Sequence, residues 1–573
     1  MKHSLIFSFH RMLLFLFMGF VCSSHILVAQ RYTTLPNDLS KRFDETFLAW
    51  DTAWTPGVAV AVVKNGEIVF KNGYGFAHLE YDIPITPQTI FHIASISKQF
   101  TTFSILLLEA DGKLSLDDDI RKHIPEVPDF ATTITLRHLA HNTSGIRDQW
   151  NLLAMAGWRL DDIITTEQVL RLLARQKELN FQPGEEYLYS NSGFTLLAEV
   201  VARVSGKSFP EFTRERIFEP LGMQHTLFYD DHEKIVRNRA YSYAARNGEY
   251  RKRVLSYATA GATSLFTTVE DLSLWALNFD NPKVGSAAII EKMNTQGVLN
   301  DGTIINYALG QVVGTYRGIP MISHGGADAG YRTFLARFPE HDVSVIVFSN
   351  DGGFNSGAMA MKVADIVLED LLEKEKEEEP WDAAIVIADP RLFPFYEGHF
   401  KQAPDNHIIF LSKQDTLFFR TSSNRQPIKL YPLSAREFIT EGGTIRFVFP
   451  VLENGPAETV ELVRNDETTE LPRTQIFDPA LVNLHELTGR YYSEELDITY
   501  TMEVKKDEDD DPKLVITHLR IGEITLTPLT PDHFAGSMWF VSRIRFEKDN
   551  QRMIKGFRAS GGRVRDVWFE SVK

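Results

Sequence analysis

The sequence predicts an α+β domain with a helical insertion, followed by two all-β modules that each close as a small barrel. Three observations carry that expectation. Strand signals stand at both ends of residues 30–372, with helix signals between them. A charge run, Glu373-Lys-Glu-Lys-Glu-Glu-Glu379, then breaks the chain before Pro380. Beyond it lie short β-patterned runs with turn signals, and these runs repeat once.

Residues 1–29 read as an export signal. Lys2 and Arg11 precede an apolar run from Met12 to Val21, and Leu27-Val28-Ala29 offers a small-residue cleavage site before Gln30. The run is short for a bilayer span, so no integral membrane span is expected after processing, and the protein is expected in the periplasm or outside the cell. An uncleaved N-terminal anchor and a lipid anchor on Cys22 are the alternatives, although Val21 stands where lipoprotein signals use a small residue. Cleavage after Ala29 would remove the only cysteine of the chain.

The mature chain opens with a hairpin. Val58–Val63 and Ile68–Phe70 flank Asn65-Gly66, the signature of a type I′ turn. Ser95 to Ala110 is an apolar helix stopped at Asp111-Gly112, and Phe194–Val204 is a second helix ending near Gly206. Thr333–Phe338 and Val343–Ser349 are β-rich runs joined by Pro339-Glu-His-Asp342. A sheet built from the two ends of this region, with helices inserted, follows. The charge run reads as a solvated linker over 373–389.

Modules are expected at 390–478 and 479–573. Tyr396-Glu-Gly398-His-Phe400 resembles Leu487-Thr-Gly489-Arg-Tyr491. Leu430 to Phe438 resembles Leu526 to Phe534, and Ile445-Arg-Phe447 resembles Ile544-Arg-Phe546. The matches are collinear and the offset grows slowly, as in a duplicated β module with small loop insertions. One larger β domain with chance similarity is the alternative. Asp507-Glu-Asp-Asp-Asp511 lacks the glycine and spaced ligands of a calcium loop and reads as a hairpin tip.

Composition limits the function. Of 573 residues, 43% are apolar and 24% charged, ordinary values for packed domains, which excludes wholesale disorder. A formal charge of −16 disfavours nucleic acid as a partner. His141, His324 and His341 are scattered along the chain, so neither a metal nor a cofactor is expected.

Three motifs carry chemistry. Ser95-Ile-Ser-Lys98 opens the first helix, where residues three apart share a face, so Lys98 would sit beside the Ser95 hydroxyl. A serine is a poor nucleophile until a base takes its proton, and an amine of depressed pKa is such a base. Tyr189-Ser-Asn191 follows the turn Pro183-Gly184; its phenol can shuttle a proton, and its amide can bond both a lysine and a substrate carbonyl. His324-Gly325-Gly326 precedes the second strand pair. The Gly325-Gly326 pair lets backbone approach a substrate, and the amide of Ala327 is a candidate second oxyanion donor beside that of Ser95. Taken singly, each motif also fits a structural role: a serine cap with a surface lysine, a packed tyrosine with an asparagine cap, a strand-end turn.

Together, in this order, the motifs resemble those of the serine β-lactamase and penicillin-binding-protein-like hydrolases, nearest to the class C β-lactamase branch with its esterases and D-aminopeptidases. The matching text includes Phe91-His-Ile-Ala-Ser95-Ile-Ser-Lys98, Pro183 to Gly193, Phe218-Glu-Pro-Leu-Gly-Met223, Ala260-Gly-Ala-Thr-Ser-Leu-Phe266 and Gly330-Tyr-Arg332, and spans about residues 40–370. The resemblance implies an antiparallel sheet flanked by helices. It implies that Ser95 is the acyl-accepting nucleophile, that Lys98 and Tyr189 form the proton-transfer system, and that Asn191 orients Lys98 and the substrate. It places the oxyanion hole at the amides of Ser95 and Ala327, and His324 where β-lactamases carry the lysine of Lys-Thr-Gly. The tail resembles the paired lipocalin-like barrels of D-aminopeptidases, in which a barrel loop reaches the catalytic cleft.

Two departures qualify the resemblance. His-Gly-Gly replaces Lys-Thr-Gly, so a permanent cation for a substrate carboxylate is missing and strong penicillinase activity is not expected. Asn142-Thr-Ser-Gly145 carries Asn where relatives carry His, which reads as structural, with His141 alongside. The expected function is an exported serine hydrolase cleaving a small peptide, amide or ester substrate, as a D-aminopeptidase, D-peptidase or esterase. A weak β-lactamase, or an acyl-binding sensor without turnover, is the alternative. A third reading makes the tail a carrier of a small hydrophobic ligand. Oligomeric state is left unassigned.

Overall fold

The computed structural model describes residues 32–373 and 386–572, apart from short stretches at 34–36, 52–53, 404–405, 422–425, 453–454, 465–466, 475–480, 508–510 and 519. The expected export signal and most of the expected charged linker therefore lie outside the described residues.

A seven-stranded antiparallel sheet organises the first region. Its order is Tyr32–Thr33, Glu67–Tyr74, Val58–Lys64, Val343–Ser349, Tyr331–Phe338, Ile319–Asp328 and Val312–Tyr316. Val58 pairs with Ser349 and Lys64 with Val343, which joins the two ends of the region at the centre of the sheet. The helical insertion falls between them. The hairpin turn is type I′, with φ of 51° at Asn65 and 81° at Gly66.

The central strand Val58–Lys64 has apolar side chains on both faces because helices cover both. Val58, Val60 and Val62 point toward the helices Asn37–Phe47 and Ser356–Val367. Ala59 and Ala61 point toward the opposite layer, where Phe100 stacks on Trp275 with ring centroids 4.2 Å apart. The helix Ser97–Ala110 is buried from Ser97 through Leu108, so it is the axis of the insertion and not a surface helix. The second expected helix spans Asn191–Ser205 and ends on Gly206, whose φ of 71° supplies the left-handed cap.

The tail is two closed eight-stranded barrels, each in sequential order, running from Gly398–Ala403 to Glu467–Thr474 and from Gly489–Ser493 to Val564–Val572. The internal repeat is structural. Gly398 and Gly489 open the first strand of each barrel with the same φ of 143°. Leu430 and Leu526 lie in the fourth strands, Phe438 and Phe534 in the fifth, Phe447 and Phe546 in the sixth, and all six are buried. Aromatic side chains occupy both interiors. Phe410 packs against Phe447 and Phe449 at 4.9 and 5.0 Å in the first, and Phe557 stacks on Phe569 at 4.8 Å in the second. A cavity of about 570 Å³ nonetheless lies against the second barrel, lined by Leu484, Val504 and Leu526 among others. Asp507 and Asp511 close the hairpin between Ile498–Lys506 and Pro512–His518, joined by a backbone bond of 3.0 Å.

The barrels attach differently. The core of the first is a cluster of its own. That of the second is continuous with the helical insertion, where the Tyr500 hydroxyl donates to the Met155 carbonyl at 2.7 Å. No helix among the described residues is long and apolar enough to cross a membrane.

Candidate active site

The expected helix start at Ser95 is replaced by a tighter turn. Ala94 has a φ of 48°, Ala94–Ile96 forms a 3-10 turn, and the α-helix begins at Ser97. The backbone reversal at Ala94 leaves Ser95 the one residue from Phe91 to Phe100 that is not fully buried. The two serines of the motif separate in role. Ser97 is buried, and its hydroxyl accepts the Leu265 amide at 3.1 Å. Ser95 Oγ faces Lys98 Nζ at 3.2 Å.

Lys98 is fully buried. Its Nζ lies 2.8 Å from Asn191 Oδ1 and 2.7 Å from the Ala262 carbonyl, in addition to Ser95. Burial holds the amine well below the usual lysine range; Arg563 pushes it further down, and Asp148 and Asp328 oppose. A neutral amine has two N–H groups and one lone pair. In that form Asn191 and Ala262 would take the donors and the lone pair would face the Ser95 hydroxyl.

The Tyr189 ring covers the other side of Lys98, its centroid 4.8 Å from Nζ. Burial pushes the Tyr189 phenol far above its usual range, against a hydrogen bond with Ser95 that lowers it. It is therefore a phenol at neutral pH.

Asn191 is held by a residue that the motifs did not reveal. Its backbone N–H and its Nδ2 both donate to Asp148 Oδ2, each at 2.8 Å. Asp148 is fully buried and caps the helix Gln149–Met155 through its other oxygen, bonded to the Trp150 amide at 3.0 Å. The cap was readable as an aspartate before a helix-forming run; its reach to Asn191 was not.

His324 is buried. Its Nδ1 sits 2.7 Å from the Gly325 carbonyl and its Nε2 3.2 Å from the Tyr307 hydroxyl. A carbonyl only accepts, so Nδ1 carries the proton and Nε2 receives one from Tyr307; this tautomer is inferred from the partners. Burial and nearby Lys98 push the imidazole down to about 4. His324 is thus a neutral group with a fixed tautomer. Asn142 takes the Ser190 amide at 2.9 Å through Oδ1, and His141 Nδ1 meets the Tyr307 carbonyl at 3.3 Å, so both are framework residues.

The strand Ile319–Asp328 presents a free edge to this centre. Its outer neighbour pairs only as far as Ser323, so among the described residues no strand pairs with His324 to Asp328 on that side. Gly326 is held against the serine turn; a Cβ there would meet the Ile93 carbonyl at 2.3 Å and Thr333 Oγ1 at 2.2 Å. Gly326 therefore serves backbone packing, whereas Gly325 has room for a side chain, with Phe334 at 3.4 Å. Ala327 follows, exposed on the same edge. An extended chain can add to such an edge as a further strand.

The second barrel reaches the site. The turn between Ile554–Gly561 and Val564–Val572 carries Arg563, whose guanidinium carbon lies 5.3 Å from the Tyr189 ring centroid and whose Nη1 lies 3.4 Å from Asp148 Oδ2. Neighbouring bonds fix the turn. Asn151 Nδ2 donates to the Gly561 carbonyl at 2.9 Å, and Asn180 Nδ2 to that of Arg563 at 3.0 Å. Below it Arg147, fully buried, makes a two-pronged ion pair with buried Glu495 at 2.7 and 2.8 Å.

The chain is similar to several known proteins. A family profile described as Beta-lactamase matches residues 43–368. A D-aminopeptidase of Brucella anthropi is 28% identical over 446 residues, 77% of this chain and 80% of that protein. A D-aminopeptidase of Gluconobacter oxydans (strain 621H) is 28% identical over 295 residues, 52% of this chain and 56% of its own length. The chain thus matches little more than half of that relative. The octameric penicillin-binding protein homologue from Pyrococcus abyssi shares the fold, with a TM-score of 0.54 at 23% identity over 76% of this chain and 99% of that one. The profile takes in more than half of the sequence, and the protein belongs to the β-lactamase family, the serine β-lactamase and penicillin-binding-protein-like hydrolases.

Proposed function

We propose that this protein cleaves amide or ester bonds through an acyl-enzyme on Ser95, as a D-aminopeptidase, D-peptidase or esterase. The observation that carries the reading is the buried Lys98 amine, with two acceptors for its N–H groups and Ser95 Oγ 3.2 Å away.

Lys98 takes the Ser95 proton as Oγ attacks the substrate carbonyl. The amides of Ser95 and Ala327 hold the oxyanion. Tyr189, a phenol because of its burial, passes a proton to the leaving nitrogen or oxygen and recovers one from Lys98. Water then attacks the ester on Ser95, and the same groups run in reverse. The neutral His324 offers no cation to a substrate carboxylate, which favours amides and esters over penicillins. The names of the two aminopeptidase relatives support D-amino-acid substrates. The signal-like segment at 1–29 supports export, and residues 30–372, 390–478 and 479–573 are the working divisions of the chain.

An active-site fluorophosphonate should label the purified protein, and Ser95→Ala should not be labelled. Equal labelling of both overturns the reading. Matched D- and L-amino-acid p-nitroanilides, p-nitrophenyl esters and nitrocefin, assayed on one preparation, then separate the activities.

A further inference from the structure

Beyond the catalytic centre, the free edge runs past Ala327 into a cavity of about 340 Å³ lined by Arg159, Asp161, Lys252, Arg253, Tyr257 and Asp328. Which part of a substrate enters it follows from the direction of proton transfer. Tyr189 serves the leaving group, and its ring lies 6.3 Å from that of His324, at the other end of the edge. The acyl portion therefore runs the opposite way, past Ala327 toward Asp328.

The charges on the cavity wall are unevenly committed. Arg159 closes on Asp161 with two bonds of 2.8 and 2.6 Å. Asp328 turns inward, accepting from Thr263 at 2.9 Å and facing His92 at 3.3 Å. Lys252 lies over the Tyr241 ring at 3.6 Å, with Glu80 at 3.7 Å. Arg253 is exposed and, among the described residues, its guanidinium has neither a hydrogen bond nor an ion pair. Its backbone is nonetheless anchored, because the Arg253 carbonyl accepts the Ser242 hydroxyl at 2.9 Å. Both acids on the wall are hydrogen-bonded, whereas the Arg253 guanidinium acts on Asp161 and Tyr257 only through space, which leaves its N–H groups for an anion.

We propose that Arg253 is a specificity residue that pairs with a carboxylate on the acyl side of the substrate, such as the side chain of an acidic D-amino acid. The inference rests on the hydrolase reading above and adds a substrate class to it. An arginine presents a planar fork that matches a carboxylate, which gives it geometric selectivity as well as charge.

The test uses the full chain and two probes that differ only in charge, the α-p-nitroanilides of D-glutamate and D-glutamine. The wild-type protein is expected to favour D-glutamate in kcat/KM by about tenfold, the size of one charge-assisted contact. Arg253→Ala should bring the ratio near one. Arg253→Glu should invert the preference. Labelling of Ser95 without any preference for D-glutamate, or a preference that survives Arg253→Ala, overturns the acidic subsite and leaves the hydrolase reading standing. Absence of Ser95 labelling overturns both.

Discussion

The two barrels share a strand order, an opening glycine with the same φ and buried residues at matching positions of the fourth, fifth and sixth strands. They differ in what they are joined to. The first keeps its core to itself, whereas the second shares its core with the helical insertion and sends Arg563 to the Tyr189 ring. The repeated positions make the barrel and the unrepeated turn makes the contact, so one module can be copied without copying its use. Resemblance between modules in sequence is then evidence about folding and says little about which of them touches substrate.

The comparison can be broken where the second barrel docks. Glu495→Ala leaves the buried Arg147 guanidinium with only the Arg565 carbonyl at 3.0 Å and Glu178 at 3.7 Å, and should cost about 3–5 kcal/mol in denaturant unfolding of the hydrolase region. A loss below 1 kcal/mol would mean that the shared core alone holds the barrel in place. Asp148→Ala removes the acceptor common to Asn191 and Arg563 and should lower kcat/KM about 100-fold through misplacement of Lys98.

Arg563→Ala should reduce kcat/KM about tenfold, as expected for one partly buried charge contact. It should also move the acid limb of the pH profile. Arg563 disfavours the Lys98 ammonium, so its removal raises the Lys98 pKa, and the limb on which Lys98 becomes protonated shifts to higher pH. An unmoved limb would show that the second barrel contacts the site without tuning it. The smallest effect on chemistry is expected in the first barrel. Phe447→Ala should cost that barrel about 3–5 kcal/mol, seen as an early separate transition in calorimetry, while kcat/KM stays within twofold.

Much of this arrangement was legible in the chain. Ser95, Lys98, Tyr189, Asn191 and His324 stand out because each belongs to a short motif, and the structure gathers all five. The hairpin at Asn65-Gly66 and the helix end at Gly206 were readable because local backbone geometry demands those residues. The start of the helix Ser97–Ala110 was not, since the turn depends on a positive φ at Ala94, a residue that gives no such signal. Arg563 was beyond reach for another reason. Its partners Asp148 and Tyr189 are hundreds of residues away, and only the docking of the second barrel brings them together. Asp148 announced its cap but not its second bond, because a cap is local and the contact with Asn191 is tertiary.

The Arg147–Glu495 pair also joins segments far apart in the chain, so without the second barrel the helical insertion would keep a guanidinium open to water. Without that barrel, the Met155 carbonyl and Arg147 form an unfinished face. A chain cut short before Glu495 would display this face permanently and offer proteases a recognisable defect. The second barrel is thus a seal over polar groups of the helical insertion, which a molecule lacking it would leave bare.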